Sequence, residues 1–324
     1  MKRRLLLALP ASLVAMPANA QEDWPQRPVR IIVPAAGGGS SDPIARFLAQ
    51  AYTARFGQSF LVENRPGAAG NVGMTAAARA APDGYTLLFA FAGPLATNLA
   101  LYRDLPFHTQ RNFEAVVRMG SVPNALVVGQ GSPLRNMDDF VARARAQPGA
   151  LAYGSTGSGS SMHLAGALLS AAAGIELNHV PYTSPAAATT DLIAGRLDSM
   201  FLGAPGTVPL LRGGQIRALA VLSETRARVM PEVPTAVEQG LPGVVMGTWF
   251  MLLAPKGTPP RIVEALNAAA NEALNGPGRE SMTQLGLQLE DGAAGGSPAA
   301  AERFLEAEIG RHAEIVRRAN IRIE

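Results

Sequence analysis

The chain has 324 residues, 48% of them hydrophobic and 16% charged, with 34 glycines, 25 prolines and no cysteine. Its length suggests two domains and its composition a folded globular chain. The lack of cysteine excludes a disulfide scaffold, thiol catalysis, thiolate zinc sites and cysteine-ligated iron–sulfur clusters. The formal charge is +3, but Lys2, Arg3 and Arg4 sit in a leader, residues 1–20, that carries no acid. Beyond it acids and bases balance, and no basic run argues for nucleic acid.

Lys2-Arg3-Arg4, the apolar run Leu5–Val14 and Ala18-Asn19-Ala20 have the layout of a cleavable signal peptide. About 12 apolar residues are too few for a bilayer span, which needs roughly 20. Arg3-Arg4 also raises the twin-arginine route, although the flanking residues fit that pattern poorly. The expected location is the periplasm, with the remainder of the chain soluble. Phosphate-donor cofactors are scarce there, and no cofactor is expected.

Val29–Val33 reads as a buried strand. The tight loop Gly37–Asp42 leads into a helix from Pro43 to Phe56, which Gly57 stops. Phe60–Val62 is a second strand, Pro66–Gly73 a glycine-rich loop, Ala76–Ala80 a small-residue helix and Thr86–Phe91 a third strand. This β–α–β–α–β order predicts a parallel sheet with helices on both faces. The grammar then repeats. Strands are expected at 125–128, 151–153, 179–182, 199–202 and 216–222, with helices at 137–146, 162–173, 185–194 and 208–211. A last strand at 248–253 precedes helices at 260–274, 279–285 and 298–319, too few strands for a sheet of their own. These helices are expected to cover the first sheet. The chain would then pass between domains near residues 121 and 247, giving one domain of 21–121 plus 247–324 and another of 122–246. Two crossovers suit a hinge that closes on a ligand.

Each strand ends in a loop of Gly, Ser, Thr or Tyr, where open α/β sheets bind ligands. Gly37–Asp42 offers backbone N–H groups at a helix start, an anion nest without a charged side chain. It reads equally as a plain turn in which Ser40, Ser41 or Asp42 caps the helix. It satisfies neither the dinucleotide fingerprint nor the phosphate-loop pattern. Gly154–Ser161, followed by His163, is a second hydroxyl-rich loop. Its serines lack the nucleophile elbow of a hydrolase, and a helix dipole lowers the basicity of His163. His163 is expected to hold the loop by a hydrogen bond. The histidines have no metal-site spacing. Tyr182-Thr183-Ser184 lines a cleft or caps a helix, Trp249 and Phe250 read as core rather than a ligand platform, and Arg65 reads as an ion-pair partner.

Taken in order, the segments Trp24-Pro25…Pro28–Pro34, Val62–Gly73, Ala81–Leu88, Tyr153–Ser155 through Gly166, His179–Tyr182, Gly195–Asp198, Arg217–Val221 and Leu253–Pro259 resemble the Bug family. These are extracytoplasmic solute receptors of tripartite tricarboxylate transporters. The resemblance covers essentially all of the chain after the leader. It implies a two-domain periplasmic-binding-protein fold, a mixed or parallel sheet with flanking helices in each domain, a two-crossover hinge and an interdomain cleft. It also implies a small carboxylate ligand, two integral-membrane transporter subunits as partners and a monomer that does no catalysis. A signalling partner or a periplasmic serine hydrolase are the alternatives. The implied ligand positions are Ala36, Gly37, Gly38, Gly39, Ser40 and Asp42, then Phe91 and Ala92. Ser155, Thr156, Ser158, Ser160 and His163 follow, with Tyr182, Thr183, Leu202 and Gly203. Ala35-Ala36-Gly37 replaces the Phe-Ala-Pro of many members, which should widen that corner. Leu202-Gly203 replaces an Asp-Asn pair, which disfavours amino-acid ligands and favours a less polar or aromatic acid.

Overall fold

A computed structural model describes residues 24–37, 40–276, 278–289, 295–319 and 321. The expected leader, together with Gly38 and Gly39, lies outside the described residues. In chain order the elements are β1 (Val29–Val33), α1 (Ser41–Phe56), β2 (Phe60–Asn64), α2 (Asn71–Ala78), β3 (Thr86–Phe91), α3 (Asn98–Leu101) and α4 (Thr109–Asn112). Next come β4 (Phe113–Gly129), α5 (Met137–Ala146), β5 (Ala152–Ser155), α6 (Ser161–Ala173), β6 (Asn178–Pro181), α7 (Pro185–Ile193), β7 (Ser199–Gly203) and α8 (Ala204–Arg212). The chain finishes with β8 (Ile216–Val221), β9 (Gly247–Pro255), α9 (Pro260–Asn275), α10 (Gly278–Gln284) and α11 (Pro298–Arg318).

The first half-sheet has the order β2-β1-β3-β9-β4, and the second places β4 between β8 and β7, followed by β5 and β6. β1 pairs in parallel with β2 and β3, and β5 in parallel with β6 and β7. The pairs β3–β9, β4–β9, β4–β7 and β4–β8 are antiparallel, so the sheet is mixed. β4 belongs to both halves. Residues 113–123 pair with β9, and residues 124–129 pair with β7 and β8.

The sequence signals explain the helices. On α1, Ile44, Ala45, Leu48, Ala49 and Tyr52 form one buried stripe, and burying a side chain the size of Leu48 contributes roughly 1.5–3 kcal/mol. Gly57, at φ 70°, ends α1 with its N–H on the Thr53 carbonyl at 3.0 Å. Ser160, Ser184 and Ser297 cap α6, α7 and α11 through their side-chain oxygens. The C-terminal helices cover the first half-sheet on both faces. The Tyr52 hydroxyl donates to the Leu266 carbonyl of α9 at 3.0 Å. On the other face α11 packs Ala301 and Leu305 against Trp249, Met251 and Leu253 of β9.

Three expectations need correction. The strand foreseen at 125–128 is the end of a 17-residue strand. A register shift between Arg118 and Gly120 accommodates the glycine, and Pro123 stays paired with Gly247. The helix foreseen at 208–211 begins at Ala204, because Pro205 lies within its first turn, where a missing N–H costs nothing. The helix foreseen at 76–80 covers 71–78 and follows two alanines, Ala68 and Ala69, with φ of 46° and 54°. Left-handed alanines cost roughly 1–2 kcal/mol each. The Asn98 amide helps hold this turn, donating to the Ala69 carbonyl at 3.0 Å and to Asn71 Oδ1 at 2.7 Å.

Candidate ligand-binding site

The loops at the carboxyl ends of β1, β3, β5, β6 and β7 carry the candidate residues. At the end of β1, Asn64 Nδ2 donates to the Ala35 carbonyl at 3.2 Å and fixes the corner that holds Ala36 and Gly37. Ser40 precedes α1 in helical conformation without a side-chain cap bond. Asp42 is paired with Arg46 one turn on, at 2.9 Å, and this bond raises the guanidinium pKa. The carboxylate at this helix start is therefore compensated from within the helix.

At the end of β3, Phe91 is half-buried with its ring 6.5 Å from that of Phe250, which also stacks on Phe89 at 6.0 Å. Ala92 is buried. A π-helical turn, Gly93–Thr97, follows and leads directly into α3. Such turns recur at functional sites.

The β5 loop is densely hydrogen-bonded. Ser155 is fully buried, and its Oγ lies 2.6 Å from His179 Nε2 and accepts from the Gly157 N–H at 3.0 Å. Ser160 caps α6 by accepting from the His163 N–H at 3.2 Å and donates its own hydroxyl proton to the Gly157 carbonyl at 2.8 Å. His163 Nδ1 accepts from the Gly159 N–H at 3.1 Å, the loop-holding bond foreseen for it. Burial, and then the neighbouring His179, push the His163 pKa down to about 4. Burial likewise lowers His179. Thr156 and Ser158 stand exposed at the loop tip.

Tyr182 joins this corner through its backbone N–H, which donates to the Ser155 carbonyl at 2.8 Å. Its hydroxyl turns away to Asp191 Oδ2 at 3.0 Å, while Thr183 is exposed. Leu202 is buried, and Gly203 faces Asn124 across the β7–β4 ladder.

The two half-sheets meet at these loops. Gly159, at φ 80°, lies so close to Leu101 of α3 that any side chain there would collide with it. Ser161 at the start of α6 accepts from the Thr248 hydroxyl of β9 at 3.0 Å. Strand-end loops of one half therefore face those of the other, next to the strands that join them.

Two neighbours escaped the sequence reading. His179 stacks on His163, and Asn124 lies beneath Gly203; neither has a spacing that a motif search detects. A serine–histidine contact does exist, but it joins Ser155 to His179 rather than to His163, and Ser155 is buried. Arg65 pairs with Glu63 at 2.5 Å, and Trp249 is core, its Nε1 donating to Glu308 Oε2 at 2.7 Å. A separate cavity of about 650 Å³ lies between β4, β9, α10, α11 and the 222–229 segment, and none of the expected ligand positions among the described residues line it. Two of its arginines are engaged in ion pairs, Arg226 with Glu238 and Arg311 with Glu308.

Two half-sheets joined by paired strands, with facing strand-end loops, define a periplasmic-binding-protein fold. The sequence matches the model of the tripartite tricarboxylate transporter family receptor over residues 44–321, and the chain belongs to that family. It is 37% identical over 319 residues to a UPF0065 protein from the tcbD-tcbE intergenic region of a Pseudomonas species, covering 97% of this chain and 94% of the relative. It is 38% identical over 262 residues to protein BugT of Bordetella pertussis, covering 81% and 80%. Among solved structures, an R. palustris protein with adipate superposes with a TM-score of 0.84 at 35% identity, covering 93% of this chain and 99% of that one. MatC from Rhodopseudomonas palustris, with bound malate, gives 0.79 at 32%, covering 90% and 100%.

Proposed function

We propose that the protein is a periplasmic receptor that encloses a small organic carboxylate between two lobes and delivers it to the integral-membrane subunits of a tripartite tricarboxylate-type transporter. The lobes are residues 21–121 with 247–324, and residues 122–246, and they hinge where β4 and β9 run side by side. One observation carries the reading: in a chain of this receptor family, the β5 loop is seated against α3, strand-end loop to strand-end loop. Relatives of the same architecture hold adipate and malate. The basic, then apolar, then small-residue layout of the leader supports export.

The ligand acid is held by backbone N–H groups at helix starts and by hydroxyls rather than by an arginine clamp. Such donors are preoriented and carry the positive end of a helix dipole. Closure needs no chemical step. The ligand must only stabilise the closed lobes more than the open ones.

Titration calorimetry against mono-, di- and tricarboxylates, with product analysis of each mixture, tests the reading. Saturable binding of an unaltered carboxylate is expected. Absence of binding across the panel, or steady conversion of a bound acid, would overturn it.

A further inference from the structure

We infer that Asn124 is a specificity-determining donor for the far end of the ligand. Its side-chain amide, with the start of α8, receives a carboxyl or carbonyl oxygen remote from the acid group bound at the first loop. This rests on the receptor reading above.

Asn124 stands on β4 directly opposite Gly203, the last residue of β7. Its backbone N–H and carbonyl are both engaged on the other side, with the Met246 carbonyl at 3.0 Å and the Leu222 N–H at 2.8 Å. Asn124 and Gly203 are therefore the non-hydrogen-bonded kind of antiparallel pair, in which facing side chains stand nearest. Asn124 is 2% exposed, and its Nδ2 is buried with no hydrogen-bond partner. Native structures seldom leave a buried amide donor unpaired, and such a group calls for an acceptor.

Gly203 is the second observation. Its φ of −65° and ψ of 150° suit any residue. A Cβ there would lie 3.5 Å from Val122 Cγ1 and 3.9 Å from both Asn124 Oδ1 and Pro205 Cδ, ordinary contact. The backbone does not demand glycine here, and without a side chain at 203 nothing stands across the strand pair from the Asn124 side chain.

Gly203 is also the N-cap of the nine-residue α8 and supplies no capping side chain. The Thr207 hydroxyl turns back to the Leu202 and Gly203 carbonyls, each at 3.1 Å. Pro205 has no N–H, which leaves the first-turn amides of Ala204 and Gly206 as donors at the positive end of the dipole. The donors gathered here are neutral. They donate to an oxygen lone pair and would set an amine donor against donor.

The experiment titrates the whole protein with adipate, its monoamide and hexanoate, in the wild type, Asn124→Asp and Gly203→Asn. The wild type should bind adipate and the monoamide at least tenfold more tightly than hexanoate. Asn124→Asp should lose at least tenfold for adipate by charge repulsion, hold hexanoate within twofold, and keep the monoamide, whose NH2 can donate to the new carboxylate. Gly203→Asn should fill the space, pair with Asn124 and bring both down to the hexanoate level without lowering the Tm. If the three acids bind wild type alike, or if Asn124→Asp weakens all three in proportion, the assignment to Asn124 is wrong. Binding of other carboxylates that ignores position 124 rejects this inference and leaves the receptor reading standing. No binding by any carboxylate removes both.

Discussion

The imidazole rings of His163 and His179 lie face to face, centroids 4.0 Å apart and planes 14° from parallel. One belongs to the first turn of α6 and the other to the edge strand β6, so the stack ties the β5 loop to both. His163 Nδ1 accepts the Gly159 N–H, and a proton on that nitrogen would set donor against donor.

This fixes the sign of a pH effect. Burial, then His179, hold His163 at about 4, below its unfolded value near 6.5. Above that unfolded value the shift has no effect on stability. As pH falls from about 6.5 to 4 the unfolded chain takes up the proton first, so stability is lost across that window. With partial exposure discounted, the loss is on the order of 2 kcal/mol. His163→Asn, whose Oδ1 can accept the same N–H, should flatten the decline in Tm between pH 6.5 and 4.5. An unchanged slope would remove His163 as the cause.

Ser155→Ala should cost about 1–3 kcal/mol in urea unfolding at neutral pH. The substitution strips the partner from the His179 Nε2 and the Gly157 N–H in a site closed to water. A loss under 0.5 kcal/mol would show that the loop does not depend on this hydroxyl.

Much of this framework was legible from the residues alone. Apolar runs bounded by glycine and proline placed β3 at 86–91 and α5 at 137–146, and both stand as foreseen. Alternation of strand and helix foretold the parallel pairs of β1 with β2 and β3 and of β5 with β6 and β7, but not the antiparallel β4 and β9 that make the sheet mixed. β4 was only half visible, because its pairing with β9 lies more than a hundred residues away and overrides the local breaker signals at Gly120 and Pro123. The His163–His179 stack and the Asn124–Gly203 pair arise from strand register, which no local pattern encodes. The first loop was readable as a helix-start turn, but not the ion pair that neutralises Asp42.

Glu308 on α11 should prove a stability determinant. Burial alone would raise its pKa, yet the nearby His312 ring, 3.5 Å away, and the Arg311 guanidinium hydrogen-bonded to it outweigh burial and hold it at about 2. Its contribution is therefore complete above about 4.5, the usual glutamate value, and is lost as pH falls towards 2. Glu308→Ala leaves the Trp249 indole N–H and the Arg311 guanidinium without their carboxylate. A loss of about 2–4 kcal/mol and altered Trp249 fluorescence are expected, while a variant with wild-type Tm would contradict the role.

Gly120→Ala should be among the most damaging small substitutions. Gly120 has φ 114°, and a Cβ would lie 2.5 Å from the Gln288 carbonyl oxygen, a backbone atom that cannot step aside. Roughly 2–4 kcal/mol should be lost, read as a lower Tm and reduced soluble yield. A variant that melts with the wild type would mean that residues 287–289 yield freely.

The side-by-side run of β4 and β9 has an architectural corollary. Val122 pairs with Thr248 and Pro123 with Gly247, so the polypeptide departs for the second half and comes home at neighbouring rungs of one ladder. The intervening 123 residues form a cartridge whose two ends touch on that ladder. Exchanging this stretch for that of a relative would mean matching those two rungs together with the contacts that reach it from elsewhere, Leu101 against Gly159 and Arg311 on the Val245 carbonyl.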